Sequence, residues 1–266
     1  MIDLDAYFRR TGYTGSRTPT LATLHAVARA HVQTIPFENI DVLLGRPIEL
    51  EPEALERKLV HDRRGGYCFE QNGLMLEVLR TMGYEVRPLS ARVRYGQPRE
   101  HIPARTHLCV RVELDESWLV DVGVGSMSVA CALRLDDDGE QATPHEPRRF
   151  LREDGRVHHQ VRLGDAWQDV TELTLEEMPM IDRVLASWFT ATHPQGNFRT
   201  RLIVARATEE GRISILNREL SIRDHAGQAT KRTIHTQAEL LDVLREHFAI
   251  DLPAGTAITW IGADWP

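Results

Sequence analysis

The chain is poor in cysteine, and it lacks both a long hydrophobic run and an excess of positive charge. Its 3 cysteines in 266 residues have no framework spacing, which indicates a reducing compartment rather than secretion. Residues 1–5 carry acids where a signal peptide has basic residues, and no apolar run is long enough to cross a membrane. The net charge of −7 argues against a nucleic-acid partner. We therefore expect a cytoplasmic protein with neither membrane nor nucleic-acid partners.

Motifs for metal ions and for nucleotide phosphates are also missing. The sequence has no His-Glu-x-x-His and no Cys-x-x-Cys pair, and the adjacent His158 and His159 would point to opposite faces of a strand. The loop 123–126 (Gly-Val-Gly-Ser) lacks the Gly-Lys-Ser/Thr ending of a P-loop. By itself it reads as a tight turn, although its N–H groups are candidates for contacting a phosphate or pyrophosphate. We expect no metal site and no tightly bound cofactor.

The first third of the chain has the apolar spacing of amphipathic helices. This spacing predicts a helix capped by Thr20, a second helix that begins at Pro52, and a third that runs from Cys68 to Gly83. Hydrophobic residues make up 42% and charged residues 27% of the chain, so we expect a folded protein with a sizeable core.

After Gly83 the pattern changes to short alternating segments separated by polar turns, which indicates an antiparallel sheet or barrel. The predicted strands are 84–93, 107–114, 118–124, 157–163, 167–170, 201–207, 212–216 and 219–223. Residues 176–190 have helical spacing, and Thr236 with Glu239 predicts a capping box before a last helix. The predicted fold class is α+β.

The segment 63–72 (Arg-Arg-Gly-Gly-Tyr-Cys-Phe-Glu-Gln-Asn) is the most informative motif. Its two glycines allow a sharp turn, and an amphipathic helix starts at Cys68 directly afterwards. Unpaired N–H groups and the positive end of the helix dipole favour a thiolate at such a position, and the thiolate is the nucleophilic form. Cys109 and Cys131 lack both features, so we expect them to be packing residues.

His107 and Asp121 complete a possible Cys-His-Asp triad as base and orienting acid. They flank a predicted hairpin, and side chains alternate in direction along a strand. A two-residue loop would therefore put them on opposite faces, whereas a three-residue loop at 114–116 pairs Asp121 with Cys109 and brings both side chains to one face. We predict the three-residue loop.

Several segments resemble arylamine N-acetyltransferases, in the order and spacing of that family over most of residues 1–200. They are 35–39 (Ile-Pro-Phe-Glu-Asn), 64–72, 106–108 (Thr-His-Leu), 119–125 (Leu-Val-Asp-Val-Gly-Val-Gly) and 187–194 (Ser-Trp-Phe-Thr-Ala-Thr-His-Pro). The resemblance implies a helical bundle over 1–83, an antiparallel β-barrel over 84–190 and an α/β lid over 191–266. This is the architecture of papain-like and transglutaminase-like cysteine enzymes.

The resemblance also implies ping-pong transfer of an acetyl group. Acetyl-coenzyme A would acetylate Cys68, and a small aromatic amine or hydrazine would then take the acetyl group, with His107 as base and Asp121 as orienting acid. The substrate-binding residues that it implies are Phe37 in the acceptor pocket and, around the acyl group and coenzyme A, Thr106, Gly123, Val124, Gly125 and Ser126. A homodimer is compatible with the sequence.

The chain departs from the family pattern in three places near the expected site, one of which is the segment 126–130 (Ser-Met-Ser-Val-Ala), where the family often has a proline-containing segment. The family's Gly-Phe-Gly after the acid is Gly-Val-Gly at 123–125, which removes one aromatic wall. Val204 lies in the region where an aromatic residue often closes the family's pocket. Arg64 and Glu38 are expected to form a structural ion pair rather than take part in the chemistry.

Three other functions are compatible with the same residues. An amide synthase that forms macrolactams would use the same triad with a different acyl donor. A cysteine protease or transglutaminase would also carry Cys, His and Asp in this order, although the papain-type Cys-Gly-Ser-Cys-Trp run is absent. A ligand-binding relative with an inactive site is the non-enzymatic alternative.

Overall fold

The computed structural model describes residues 2–263 and residue 265, and it contains two antiparallel sheets and a group of helices. The helices are α1 (Leu4–Thr11), α2 (Leu21–Thr34), α3 (Ile40–Leu43), α4 (Pro52–Glu56), α5 (Cys68–Thr81), α6 (Met180–Thr192), α7 (Asn197–Thr200) and α8 (Gln237–Phe248). The strands are β1 (Phe37–Glu38), β2 (Glu85–Val93), β3 (His107–Glu113), β4 (Ser117–Val120), β5 (Leu133–Arg134), β6 (Arg148–Glu153), β7 (Arg156–Leu163), β8 (Ala166–Glu177), β9 (Ile203–Ala207), β10 (Gly211–Leu216), β11 (Glu219–Asp224) and β12 (Ala229–Thr233).

The three helices predicted in the first third of the chain are confirmed. Thr20 caps α2, because its Oγ1 accepts a hydrogen bond from the Thr23 N–H at 3.3 Å. Pro52 occupies the first turn of α4, which widens into a π-helical turn over Arg57–His61. Helix α5 ends just before Gly83, whose φ of 93° is the left-handed conformation expected beyond a helix end.

Seven strands form a nearly closed antiparallel barrel in the order β5-β4-β3-β2-β8-β7-β6, which confirms the predicted architecture. Gln141 lies between the two edge strands. Its backbone pairs with Arg148 at the start of β6, with N···O distances of 2.7 and 2.9 Å. Its side chain accepts from the Arg134 N–H of β5 at 2.8 Å and donates to the Arg134 carbonyl at 2.9 Å. One glutamine therefore bridges the gap between the edges of the barrel.

The β3–β4 hairpin has the predicted three-residue loop. Glu113 pairs with Ser117, so residues 114–116 form the connection. Continuing this register past β4 puts Asp121 opposite Cys109, so their side chains share a face of the sheet. His107 is two residues from Cys109 on β3 and therefore lies on that same face. The predicted odd number of loop residues, which decides whether the two side chains can meet, is confirmed.

The two faces of this hairpin belong to different cores. Its even-numbered apolar residues lie in the core shared with the helices, and these are Leu108, Val110, Val112, Trp118 and Val120. Cys109 and Leu119, of the opposite parity, lie in the barrel core. The hairpin is thus buried on both faces: one face packs against the helices and the other faces the barrel core.

The second sheet joins distant parts of the chain. Its order is β1-β9-β10-β11-β12, and Phe37 of β1 pairs with Ala205 of β9. Helix α8 covers this sheet through a core that includes Leu240, Leu244 and Phe248. A short strand from the N-terminal third is therefore an edge of the C-terminal sheet.

Several predicted boundaries are wrong and one is refined. The strand expected over 118–124 ends at Val120, the strand expected over 167–170 runs from Ala166 to Glu177, and the strand expected over 201–207 begins at Ile203. Residues 176–177 were expected to be helical, but β8 continues to Glu177 and α6 begins only after Pro179, because proline disfavours helical backbone in the residue before it. At α8, Thr236 Oγ1 accepts from the Glu239 N–H at 3.1 Å, while Glu239 Oε2 reaches one residue further back, to the His235 N–H at 2.7 Å. No helix in the described part of the chain is long and apolar enough to span a membrane.

Candidate active site

The turn before Cys68 is held against the segment 36–38. A Cβ at Gly65 would lie 2.0 Å from the Pro36 carbonyl oxygen, and the Glu38 N–H donates to the Gly66 carbonyl at 3.0 Å. The sharp turn expected of the two glycines is instead made by Arg63, whose φ is 54°. Gly65 is therefore required for close backbone approach rather than for its conformational freedom.

Buried ion pairs fix both sides of this turn. Arg64 pairs with Glu38 at 2.6 Å, which is the structural ion pair that the sequence predicts. Lys58 pairs with Glu70 at 2.6 Å, and the other oxygen of Glu70 accepts from the Tyr67 N–H at 3.0 Å. The N-terminus of α5 is thus held by a buried carboxylate that is itself paired with a lysine.

The structure brings Cys68, His107 and Asp121 together in one buried cluster. The His107 Nε2 lies 2.8 Å from Asp121 Oδ2, and Cys68 is near enough to His107 for its side chain to raise the pKa of the imidazole. The Cys68 Sγ lies 3.6 Å from the carbonyl oxygen of Thr106. The exposed fractions of the three residues are only 3%, 1% and 1%. Because Nε2 contacts Asp121, Nδ1 is the ring nitrogen left for the sulfur.

The electrostatics of this cluster favour a protonated imidazole next to the sulfur. Burial disfavours the imidazolium, but the Asp121 carboxylate and the hydrogen bonds to Asp121 and Cys68 outweigh it and raise the pKa of His107 to about 10. Burial alone would raise the pKa of Asp121, but His107 and the hydrogen bond from Asn72 bring that pKa below its ordinary value. At neutral pH the pair is therefore an imidazolium and a carboxylate.

Asn72 is a site residue that our reading of the sequence missed. Its Nδ2 donates to Asp121 Oδ1 at 2.9 Å and to the Leu108 carbonyl at 2.6 Å, and its Oδ1 accepts from the Val122 N–H at 3.0 Å. Asn72 stands one helical turn after Cys68, so it shares that face of α5. The i, i+4 spacing of a polar residue after the cysteine was the signal that could have identified it.

A cavity of about 340 Å³ opens onto the sulfur, and every predicted substrate-binding residue lines it. These residues are Phe37, Thr106, Gly123, Val124, Gly125 and Ser126. Cys68 and His107 also line the cavity, whereas Asp121 lies behind His107. We call this cavity the catalytic cleft.

The loop after Asp121 is shaped by its contacts within the protein. A Cβ at Gly123 would lie 2.9 Å from the Cys68 Cα and 2.6 Å from Asn72 Nδ2, so only glycine fits there without displacement. The N–H of Gly123 donates to Asp121 Oδ1 at 3.2 Å, and that of Val124 donates to a serine hydroxyl, Ser128 Oγ, at 3.1 Å. These two amides are engaged within the loop, which leaves Gly125 and Ser126 for any contact with a phosphate.

Aromatic side chains besides Phe37 line the catalytic cleft, and they were not predicted from the sequence. Val204 is buried in the core beneath the second sheet and does not line the catalytic cleft, so the expectation based on it is wrong. Phe198 lines the cleft instead, and its ring centroid lies 5.9 Å from that of Phe37. Phe189 of α6 lines the same cleft. Phe198 lies on α7, a four-residue helix before β9 for which the sequence carries no local signal.

The other two cysteines pack in the barrel. Cys109 and Cys131 are buried members of its core, and burial raises the pKa of both thiols, that of Cys131 to about 11. Over residues 2–263 and 265, no cluster of three or more His, Cys, Asp or Glu side chains is arranged to hold a metal ion.

The chain is similar to known proteins along nearly its whole length. The sequence profile of a family described as N-acetyltransferase matches residues 20–257. The arylamine N-acetyltransferase of Mycobacterium tuberculosis (strain H37Rv) is 42% identical over 257 residues, covering 94% of this chain and 90% of the relative. That of Escherichia coli is 37% identical over 249 residues, covering 93% and 88%. The structure of Mycobacterium marinum arylamine N-acetyltransferase in complex with CoA superposes with a TM-score of 0.90 at 38% identity, covering 93% of each chain.

Proposed function

Since this chain belongs to the arylamine N-acetyltransferase family, we propose that it transfers the acetyl group of acetyl-coenzyme A to arylamines and arylhydrazines through an acetyl-Cys68 intermediate. The observation that carries this proposal is the position of His107 between the sulfur of Cys68 and the carboxylate of Asp121. A relative solved in complex with CoA supports coenzyme A as the carrier of the acyl group.

The first half-reaction acetylates the enzyme. The Cys68 sulfur attacks the carbonyl carbon of acetyl-coenzyme A as a thiolate, while the thiol proton resides on His107. The carbon–sulfur bond to coenzyme A breaks, and His107 donates its proton to the departing thiolate. The products are acetyl-Cys68, coenzyme A as a free thiol, and a neutral His107.

The second half-reaction transfers the acetyl group to the acceptor. The amine or hydrazine nitrogen attacks the thioester carbonyl, its proton passes to His107, and the Cys68 thiolate leaves. The His107 imidazolium and the Cys68 thiolate are restored, so the enzyme returns to its starting state. Because coenzyme A leaves before the acceptor reacts, both substrates can use the same cleft in turn.

The remaining residues of the site orient these groups. Asp121 fixes the ring of His107 through Nε2 and stabilises the imidazolium, which presents Nδ1 to the sulfur. The N–H groups of Cys68 and Phe69, at the start of α5, would stabilise the negative charge that develops on the carbonyl oxygen. Phe37 and Phe198 offer ring faces to an aromatic acceptor.

The direct test is the intact mass of the protein after incubation with acetyl-coenzyme A and no acceptor. We expect a gain of one acetyl group located by peptide mapping on Cys68, and we expect aniline or phenylhydrazine to remove it as the acetylated product. Cys68→Ala should gain nothing, because no other group can hold the acyl intermediate.

Two results would contradict the proposal. A wild-type protein that stays unmodified by acetyl-coenzyme A while keeping its fold would exclude this acyl donor and favour the amide synthase alternative. An acetyl group found on Cys109 or Cys131, with Cys68 unmodified, would exclude the nucleophile.

A further inference from the structure

Helix α6 exposes an apolar face next to the catalytic cleft. Leu185 and Trp188 are each 64% exposed, and Val184 and Phe189 are also exposed. Phe189 lines the catalytic cleft, so this face begins at the site itself. A contiguous apolar surface of this kind is uncommon on a protein surface unless it binds something.

A groove of about 520 Å³ runs along this face and adjoins the catalytic cleft. Both cavities are lined by Ala104, Thr106 and Phe189. The groove continues from there past Leu185 and Trp188. Because the Thr106 carbonyl also contacts the Cys68 sulfur, the groove begins one residue from the nucleophile.

The charges around the groove distinguish between the two substrates. Its lining carries three carboxylates, Glu176, Glu177 and Asp182, and one guanidinium, Arg105, which pairs with Glu176. Arg87, outside the lining, pairs with Glu177. The lining is therefore net negative and disfavours the phosphates of coenzyme A. Among the described residues that line the catalytic cleft itself there is no carboxylate, so the cleft lacks the negative charge of the groove.

We propose that this groove is an extension of the acceptor site that binds an apolar substituent of the arylamine, and that Leu185 and Trp188 set the preference for it. The proposal rests on the proposed function, because the substituent must belong to the molecule whose nitrogen attacks acetyl-Cys68. The matching acceptors are neutral arylamines with an unbranched hydrocarbon chain opposite the amine. Phe189 and Leu185 are four residues apart on a helix, so the chain must reach about 6 Å beyond the ring.

The experiment compares aniline with para-methylaniline, para-butylaniline and para-hexylaniline at saturating acetyl-coenzyme A. For the wild-type protein we expect kcat/KM to rise by about tenfold from aniline to para-hexylaniline, as each methylene leaves water for a half-open apolar groove. Trp188→Ala and Leu185→Ala should each reduce this ratio by at least threefold. Both side chains are exposed, so the variants should keep the wild-type melting temperature.

Ile181→Ala is the matched control. Ile181 is 71% exposed on the same helix but lies outside the lining of the groove and of the cleft, so the ratio should stay at the wild-type value. This control distinguishes the loss of contacts in the groove from a general effect of reducing the apolar surface of α6.

Three outcomes would overturn the proposal. If the wild-type ratio stays near one while aniline is acetylated, the groove does not bind the substituent and the proposed function stands. If Trp188→Ala raises KM for acetyl-coenzyme A and leaves the chain-length ratio unchanged, the donor occupies the groove. If the wild-type protein acetylates none of the four amines, the proposed function fails and this proposal with it.

Discussion

Asn72 connects the residues of the site more directly than any other side chain around the triad. It contacts the acid, the backbone of β3 and the loop after β4 from a single position on α5. A buried amide that satisfies three partners is costly to replace, because each partner is then left without its hydrogen bond. Because Asn72 contacts Asp121, we expect it to act on the proposed chemistry as a positioning residue.

We expect Asn72→Ala to lower kcat for acetylation of aniline by about 10- to 100-fold, the effect of losing one hydrogen bond to a charged group. KM for acetyl-coenzyme A should change little, because Asn72 does not line the catalytic cleft. Asn72→Asp should lower kcat further, since it places a second carboxylate beside Asp121. Steady-state kinetics with both substrates varied measure the two constants separately.

Arg80→Ala, on the exposed side of the same helix, is the control and should retain the wild-type kcat. An Asn72→Ala variant with wild-type kcat would show that Asp121 is held without the amide. A variant with unchanged kcat and a much higher KM would assign Asn72 to substrate binding instead.

At the scale of the elements, the site depends on how closely the loop after β4 approaches the start of α5. Gly123 is where they meet, because its α-carbon faces the Cys68 backbone with no room for a side chain. The first turn of α5 is also fixed from its other side by Glu70 and the Tyr67 N–H. Cys68 and Asp121 are therefore held close together by the near approach of the loop backbone to α5 and by the side chain of Asn72.

Gly123→Ala should lower kcat/KM by at least tenfold, because a methyl group 2.9 Å from the Cys68 Cα must displace either the loop or the helix. The melting temperature should also fall. Kinetics and thermal unfolding of the purified variant measure the two effects.

Gly155→Ala is the matched control for Gly123→Ala. Gly155 has a φ of 72° and no atom within 4 Å of an added Cβ, so only backbone strain is introduced, far from the site. It should cost about 1 kcal/mol of stability without changing kcat/KM. Equal kinetic losses in the two variants would contradict the role assigned to the contact at Gly123.

The elements that the sequence predicted well are those defined by local rules. The register of the β3–β4 hairpin follows from side-chain parity, and α2 and α5 follow from their caps. The cluster of Cys68, His107 and Asp121 could be predicted because Cys68 begins α5, His107 begins β3 and Asp121 directly follows β4.

Other elements could not be predicted because tertiary context overrides their local pattern. Strand β6 begins with Arg148, a fully buried arginine, so the expected alternation of apolar and polar residues is broken. Strand β12 is exposed along its whole length and is a polar edge strand with no apolar face to detect. Phe198 reaches the cleft only through the long-range packing of the second sheet.

At the scale of the whole molecule, buried neutral histidines make the fold sensitive to acid. His31 lies among the helices and bonds to Tyr7 and Gln71, and His159 lies within the barrel with its Nε2 unpartnered among the described residues. Burial lowers the pKa of His31 to about 4. Burial, together with Arg148, lowers the pKa of His159 to about 3.

The sign of the pH dependence follows from these shifts. Below pH 6.5 the unfolded chain takes up protons at both histidines, while the folded chain does not. The free energy of unfolding therefore falls as the pH is lowered from 6.5 towards the folded-state pKa values. Each histidine should cost about 1.4 kcal/mol per pH unit until its folded pKa is approached. We expect the melting temperature to fall steadily from pH 7 to pH 4.5.

His159→Leu should make this pH dependence shallower, because it removes one of the two groups and sacrifices no strong hydrogen bond. His101→Gln, at an exposed position, should leave the wild-type slope unchanged. Thermal unfolding at several pH values gives the slopes. A His159→Leu variant with the wild-type slope would show that other groups govern the acid sensitivity.

The pairing of β1 with β9 has a consequence for synthesis on the ribosome. When residue 192 has been added, the nascent polypeptide already contains the cysteine, the histidine and the aspartate, but β1 still lacks its partner. Phe198 and Ile203, which line the cleft, are made later still. An unfinished polypeptide would thus hold the Cys68 sulfur open to water, and the complete lining of the cleft arises only when translation has passed β9.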